Sequence, residues 1–246
     1  MASYTTTASV NGSRISLGDD GILPPDGGGG DDRFACGSPY FGTRLRRARL
    51  GLGVGLAGIV MIFISFTSAY VVRQGLPTLD PRTNTLVRDW LPVRLPSLLF
   101  INTCVLLISS MTMALARRQV AHEAALAQVT SIPGVSLGHE KKIPWLALTV
   151  ALGLSFLTGQ WIVWHELAAS GFYVTTSASS SFIYLLTGMH GVHLLGGILA
   201  LLVAGAATLL RRPVESRLIV LDVSGWYWHF MTLLWVYILC VLEFVR

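Results

Sequence analysis

Long runs of hydrophobic residues alternate with short polar stretches from residue 50 to the end of this chain. Five of these runs fall at about residues 50–72, 97–115, 144–164, 182–210 and 224–244. A helix needs about 20 residues to cross roughly 30 Å of hydrocarbon, and each run is about that long or longer. The pattern therefore predicts an all-α fold, a polytopic membrane helix bundle with five transmembrane helices.

The N-terminal segment has a different composition. It contains Ser, Thr and the run DGGGGDD at residues 26–32, and it has no apolar stretch of the kind found in a cleavable signal peptide. Such a composition buries too little apolar surface to offset the entropy of ordering. We predict a disordered cytoplasmic tail at residues 1–43 and a five-helix transmembrane domain at residues 44–246.

Composition excludes a soluble protein. The chain has 246 residues, of which 52% are hydrophobic and 13% charged, with a mean hydropathy of +0.61. Soluble domains carry roughly 25% charged residues. The net charge of +5 comes from basic residues near the ends of apolar runs, which does not indicate a nucleic-acid partner.

The basic residues instead indicate orientation. Eleven Lys and Arg residues lie at the side of the membrane where the first run begins, and five lie at the other side. Loops rich in Lys and Arg face the cytoplasm, so the N-terminus is predicted inside and the C-terminus outside. The eleven are Arg44, Arg46, Arg47, Arg49, Arg117, Arg118, Lys141, Lys142, Arg211, Arg212 and Arg217.

Histidines are the candidate chemical groups within the runs, because no Asp, Glu, Lys or Arg falls in the middle of any run as delimited here. His190 and His193 are three residues apart and share a helix face. Haem ligation between helices would need imidazoles at one depth, whereas His190 and His229 are predicted in opposite halves of the bilayer. We therefore favour neutral histidines that hydrogen-bond to Ser, Thr, Tyr or lipid head groups, with no metal or other cofactor in this chain.

Glycines form a second pattern. Gly51 and Gly55 have the small-xxx-small spacing that lets helices approach closely. The fourth run also contains several closely spaced glycines, which are Gly188, Gly191, Gly196 and Gly197. Packing within the chain and docking onto a partner subunit both explain these faces. No internal repeat supports a transporter built from inverted halves.

Five motifs in order resemble subunit III of the haem–copper terminal oxidases (cytochrome c oxidase type), in its five-helix form. They are SFTSAYVVR at 65–73, NTCVLLISS at 102–110, FLTGQWIVW at 156–164, TGMHGVHLLGG at 187–197 and WYWHF at 226–230. The resemblance covers residues 50–244. It departs from the family at two positions, because Ile59 and Thr232 stand where family members often carry a carboxylate.

The resemblance implies an accessory subunit without catalytic residues, bound to catalytic haem–copper subunit I, to subunit II and to phospholipids. The haem and copper would lie in the partner subunit, and the complex would reduce oxygen with electrons from cytochrome c or quinol. Candidates for lipid or partner contact are Tyr70, Arg73, His190, His193, Trp228 and His229. The expected location is a bacterial-type inner membrane.

Two alternatives stay open at this stage. The accessory protein of a nitric oxide reductase shares the same fold and motifs. A small membrane transporter belongs to another class, and it would bind its substrate without a haem protein.

Overall fold

A computed structural model of the chain describes residues 41–79, 85–87, 90, 96–130, 144–210 and 214–244. Nearly all of the predicted tail lies outside the described residues, so its disorder stays a prediction. The first helix already includes residues 41–43, which we had assigned to the tail.

Five α-helices make up the fold. They are α1 (Phe41–Gly75), α2 (Leu98–Thr130), α3 (Trp145–Ala169), α4 (Ala178–Leu209) and α5 (Val214–Phe244). Each contains a stretch long and apolar enough to cross a membrane, which confirms the predicted all-α bundle. A two-residue antiparallel ladder, β1 (Thr78–Leu79) with β2 (Leu86–Val87), is the strand pairing among the residues described between α1 and α2.

The helices extend beyond the apolar runs that predicted them. Helix α2 continues from residue 115 to Thr130, and α5 begins at Val214, ten residues before the predicted start at 224. Hydrophobicity marks only the part of a helix that lies in hydrocarbon, whereas the backbone hydrogen bonds continue into the polar interface. The early start of α5 places Asp222 inside the helix, ahead of the predicted fifth span, whose own bounds stay a prediction.

Successive helices alternate in direction, so their ends lie at two sides of the bundle. We call the side where α1 begins the N side, and the opposite side the C side. On the C side, α3 and α4 are joined through Gly171, whose φ of 85° favours glycine, and Ser177 caps α4 by accepting from the Ser180 amide.

Helices α2 to α5 enclose the core, and α1 lies against α4 and α5. Helix α1 buries only Phe41, Phe63, Thr67 and Tyr70 of its 35 residues. A Cβ added at Gly51 or Gly55 would meet no described atom within 4 Å, so packing against the described residues does not account for this glycine face. At Gly197 of α4, by contrast, a Cβ would lie 3.0 Å from the Tyr227 ring, so packing within the chain does explain that glycine.

Candidate functional site

A buried carboxylate ties three helices together at the N side. Asp222 of α5 is 4% exposed, and its Oδ2 accepts from Nε of Arg49 on α1 at 2.8 Å. Its other oxygen, Oδ1, accepts from Nη2 of Arg117 on α2. One carboxylate therefore pairs with two guanidinium groups, and the cluster keeps a net positive charge.

Gly225 makes room for this ionic cluster. A Cβ at Gly225 would overlap the Cδ atom of Arg117, so the arginine side chain passes directly over the backbone of α5. The Arg117 guanidinium also lies 5.9 Å from the centre of the Trp226 ring, within cation–π range. The close approach of α2 to α5 at this level thus depends on a residue without a side chain.

Sequence analysis missed the ionic cluster. It used Arg49 and Arg117 only as orientation markers, and it placed Asp222 outside the fifth span. The sequence did contain a signal for it. Asp222 is an acidic residue four positions before Trp226, at the side of the bundle where the basic residues concentrate.

Above the ionic cluster, toward the C side, hydroxyl groups and an indole form a buried polar layer. Trp228 is fully buried, and its Nε1 donates to Ser109 Oγ at 3.1 Å. Ser109 donates in turn to the Thr149 carbonyl at 3.2 Å, and the Thr112 and Thr149 hydroxyls lie 2.8 Å apart. Buried polar groups paired in this way set the register of α2, α3 and α5.

Small residues let the large rings of this layer fit. A Cβ at Gly153 of α3 would lie 2.7 Å from Cη2 of Trp228. Thr232, at one of the positions where the family often has a carboxylate, is buried and donates to the Trp228 carbonyl at 3.0 Å. The hydroxyl at this position is therefore satisfied within its own helix.

His190 lies in the centre of the bundle. It is 0% exposed, its ring stacks at a tilt on Trp235 with centroids 4.9 Å apart, and it meets Phe156 edge-on at 5.9 Å. Among the described residues, neither of its ring nitrogens has a hydrogen-bond partner, and the same holds for both side-chain polar atoms of Gln160. We had expected Ser, Thr or Tyr to provide a partner, and no described residue does so for His190.

His193, one turn away, is only partly buried. Its Nδ1 donates to the Met189 carbonyl at 2.8 Å, and its ring meets Phe63 of α1 at 5.8 Å. Its own carbonyl accepts from the Tyr227 hydroxyl at 2.8 Å. His193 thus links α4 to both α1 and α5.

The other predicted contact residues are spread over both sides of the bundle. His229 Nδ1 lies 2.6 Å from Ser110 Oγ near the ionic cluster. At the C side, Tyr70 is buried against Trp90 and Phe182, and Arg73 donates to the Leu76 carbonyl at 3.2 Å. Tyr70, His190 and Trp228 are therefore covered by the chain itself, whereas Arg73, His193 and His229 are partly accessible.

These residues do not converge on one catalytic centre. Within the part of the chain that the structure describes, no group of three or more His, Cys, Asp or Glu side chains is placed to hold a metal ion. Asp222, Ser109 and Thr112 instead join helices to one another, whereas the polar atoms of His190 and Gln160 have no partner among the described residues.

The amino-acid sequence is similar to those of several oxidase subunits. The chain is 32% identical over 102 residues to the probable cytochrome c oxidase subunit 3 of Mycobacterium leprae, a match that covers 42% of this chain and 50% of that protein. It is 28% identical over 207 residues to cytochrome c oxidase subunit 3 of Triticum aestivum, covering 80% of this chain and 69% of that protein. It is 32% identical over 141 residues to the cytochrome bo(3) ubiquinol oxidase subunit 3 of Pseudomonas aeruginosa, covering 57% of this chain and 61% of that protein.

The first of these matches spans about half the length of the curated relative. The family model described as cytochrome c oxidase subunit III is broader and matches residues 41–245, which include all five helices. The chain therefore belongs to the cytochrome c oxidase subunit III family.

Proposed function

We propose that this chain is an accessory, cofactor-free subunit of a respiratory haem–copper oxidase. The observation that carries the proposal is the family match over the whole five-helix bundle. In the complex, the partner subunits would hold the haem and copper and reduce oxygen to water. This chain would support assembly, lipid binding and sustained proton-coupled turnover.

The outward face of α1 supports a partner in the membrane. Its glycines are open, and large apolar side chains such as Val54, Met61 and Ile64 are exposed along the helix. Close approach of another helix to this face would bring backbones into van der Waals contact. We propose that α1 contributes to docking on catalytic subunit I or on subunit II.

The six predicted contact residues take two roles in this proposal. Arg73, His193 and His229 are accessible enough to touch lipid or a partner directly. Tyr70, His190 and Trp228 act from inside the chain, because they hold the helices in the positions that the contact surface needs. None of the six is proposed to ligate a metal.

The proposal covers either electron donor, because the relatives include proteins named as cytochrome c and as ubiquinol oxidase subunits. A nitric oxide reductase accessory role is less favoured, since the three relatives named above carry oxidase names. We place the chain in a bacterial-type inner membrane with its N side in the cytoplasm, on the basis of the eleven basic residues at that side.

Purification from the native membrane tests the proposal. An affinity-tagged chain extracted in mild detergent should bring down a haem- and copper-containing oxidase, visible in the reduced-minus-oxidised absorption spectrum. A tagged, unrelated multi-pass protein from the same membrane is the control. Recovery of the chain as a stable, haem-free monomer would overturn the proposal, and a nitric oxide reductase in the eluate would select the alternative.

A further inference from the structure

Two polar side chains lie in the middle of the bundle without partners. His190 of α4 is 0% exposed, and Gln160 of α3 is 2% exposed. Both ring nitrogens of His190 and both side-chain polar atoms of Gln160 lack a hydrogen-bond partner among the described residues. His190 is roughly 18 Å along α4 from the first residue of that helix, which places it at the depth of hydrocarbon.

Two contacts show how α3 and α4 are aligned. Trp164 Nε1 donates to Thr187 Oγ1 at 3.1 Å, and a Cβ at Gly153 would lie 3.5 Å from Cδ1 of Ile198. The same number of positions separates the two contacts along each helix, in opposite directions. One alignment of the antiparallel helices therefore holds between these contacts.

This alignment places Gln160 opposite Gly191, the residue that follows His190. Gly191 is buried, yet a Cβ added there would meet no described atom within 4 Å. A space of at least the size of a methyl group thus lies beside the glycine, between α3 and α4. A water molecule is about as large as a methyl group, so the space can hold water.

The neighbouring polar side chains already have partners. Trp235 packs on the ring of His190, and its Nε1 donates to Thr103 Oγ1 at 3.0 Å. Thr187 donates to a carbonyl of its own helix at 2.7 Å. A neutral imidazole has one donor and one acceptor nitrogen, and the amide of Gln160 also has both kinds of group. The partner of the two side chains therefore has to donate as well as accept.

We propose that internal water occupies this space and links His190 of α4 to Gln160 of α3. Water both donates and accepts, and it is small enough for an enclosed site. A lipid head group or a side chain of a partner subunit cannot reach groups that the chain covers almost completely. A metal ion would meet one imidazole and one amide, and no group of three His, Cys, Asp or Glu side chains is placed to hold one within the described part of the chain.

The link gives both side chains a structural role. A water-mediated hydrogen bond is nearly as favourable in enthalpy as a direct one, and buried waters typically make about three hydrogen bonds to groups that lack other partners. Gly191 supplies no side-chain contact between α3 and α4 at this level. Water held by His190 and Gln160 therefore joins the two helices where direct packing is missing.

A high-resolution map of the purified wild-type protein tests the site directly. At a resolution that shows ordered water, we expect a density peak at a hydrogen-bond distance of about 2.7–3.2 Å from a ring nitrogen of His190 and from the Gln160 amide. A direct hydrogen bond between the two side chains, or a space without density, would overturn the proposal.

A double-mutant cycle tests the same link by stability. His190→Leu and Gln160→Leu should each lower the melting temperature in detergent by roughly 4 °C, because each leaves the other side chain and the water with one partner fewer. The double variant should melt close to wild type, since it removes both polar partners. Thr158→Val, which removes an exposed hydroxyl from α3, is the control and should change nothing. Single variants that melt higher than wild type, or losses that add in the double variant, would contradict the link.

Alanine at Gly191 separates a hydrated space from a dry one. Its methyl group would take the place of water, so Gly191→Ala should lower the melting temperature although alanine has the higher helix propensity. In a dry space the same methyl group would fill a void and raise the melting temperature, which would overturn the proposal. Gly196→Ala is the matched control, because Gly196 is exposed on the same helix and a Cβ there would lie 3.8 Å from the Tyr227 hydroxyl.

The site is formed by this chain alone, so the proposal does not rest on the proposed function. Each measurement can be made on the oxidase complex or on the chain by itself. The haem spectrum of the same sample shows whether the oxidase is attached, so failure of the proposed function is seen separately.

Discussion

Arg49 and Asp222 are separated by 173 positions in the sequence, yet Nε of the first lies 2.8 Å from Oδ2 of the second. The pair joins the first helix to the last, and Arg117 joins α2 to the same carboxylate. Since α1 buries few side chains, this ion pair and the contact between Phe63 and His193 are among the specific links that hold α1 to the bundle.

Replacing Asp222 with Asn should destabilise the bundle, because two guanidinium groups would remain beside a neutral amide. Removal of one partner from a fully buried ion pair costs about 3–5 kcal/mol. Arg49 is 38% exposed, so solvent screens part of the interaction, and we expect about 2 kcal/mol here. Thermal unfolding in detergent measures the loss, with Glu166→Gln at an exposed C-side position as the control. Equal melting temperatures for the two variants would contradict a structural role for the cluster.

Alanine at Gly225 should also destabilise the protein, because its Cβ would displace Arg117 from Asp222. Overpacking of this kind costs about 1–3 kcal/mol. The matched control is Gly196→Ala, where the nearest described atom to a Cβ would be 3.8 Å away and the higher helix propensity of alanine should be neutral or favourable. The melting temperature in detergent measures both changes. If the steric explanation is correct, Gly225→Ala does not lower the melting temperature further in a protein that already carries Arg117→Ala.

His193→Gln should weaken retention of this subunit in the oxidase complex only modestly. Hydrogen bonds between helices in membranes average about 0.6 kcal/mol, and within the described part of the chain His193 donates to a carbonyl of its own helix. Retention is measured as the ratio of this chain to haem after purification, and the haem spectrum should be unchanged. Loss of a haem or copper signal would contradict the accessory role of this site.

His190→Leu tests whether the buried imidazole has a partner. Its nitrogens are unpaired among the described residues, and an unpaired buried polar group costs about 1–3 kcal/mol. Because internal water is the proposed partner, leucine leaves Gln160 and the water short of a hydrogen bond, and the melting temperature in detergent should fall. An unchanged or raised melting temperature would show that the imidazole has no polar partner in the folded protein.

Reporter fusions test the proposed orientation. A reporter joined after Arg118 should give a cytoplasmic signal, and one joined after Gly171 in the turn between α3 and α4 should give an external signal. The basic residues concentrated at the N side are the physical reason, because they resist translocation. Two signals from the same side would contradict the proposed arrangement of the spans.

The sequence alone determined the five spans, because the apolar runs have to match the thickness of hydrocarbon whatever their neighbours are. Its motifs also pointed to the family that the comparison confirmed. It could not determine the extent of α2 and α5 beyond the hydrocarbon, since helical hydrogen bonding at an interface does not require apolar side chains.

Only the tertiary structure decided which polar residues meet. Arg49, Arg117 and Asp222 lie on three helices, and their pairing depends on helix rotation and on the space at Gly225. The full burial of His190 and the openness of Gly51 and Gly55 likewise depend on which face each helix turns inward. In hydrocarbon an apolar side chain gains no hydrophobic free energy by moving from lipid to protein. Hydropathy therefore carries little information about which helix face turns inward, and packing decides it.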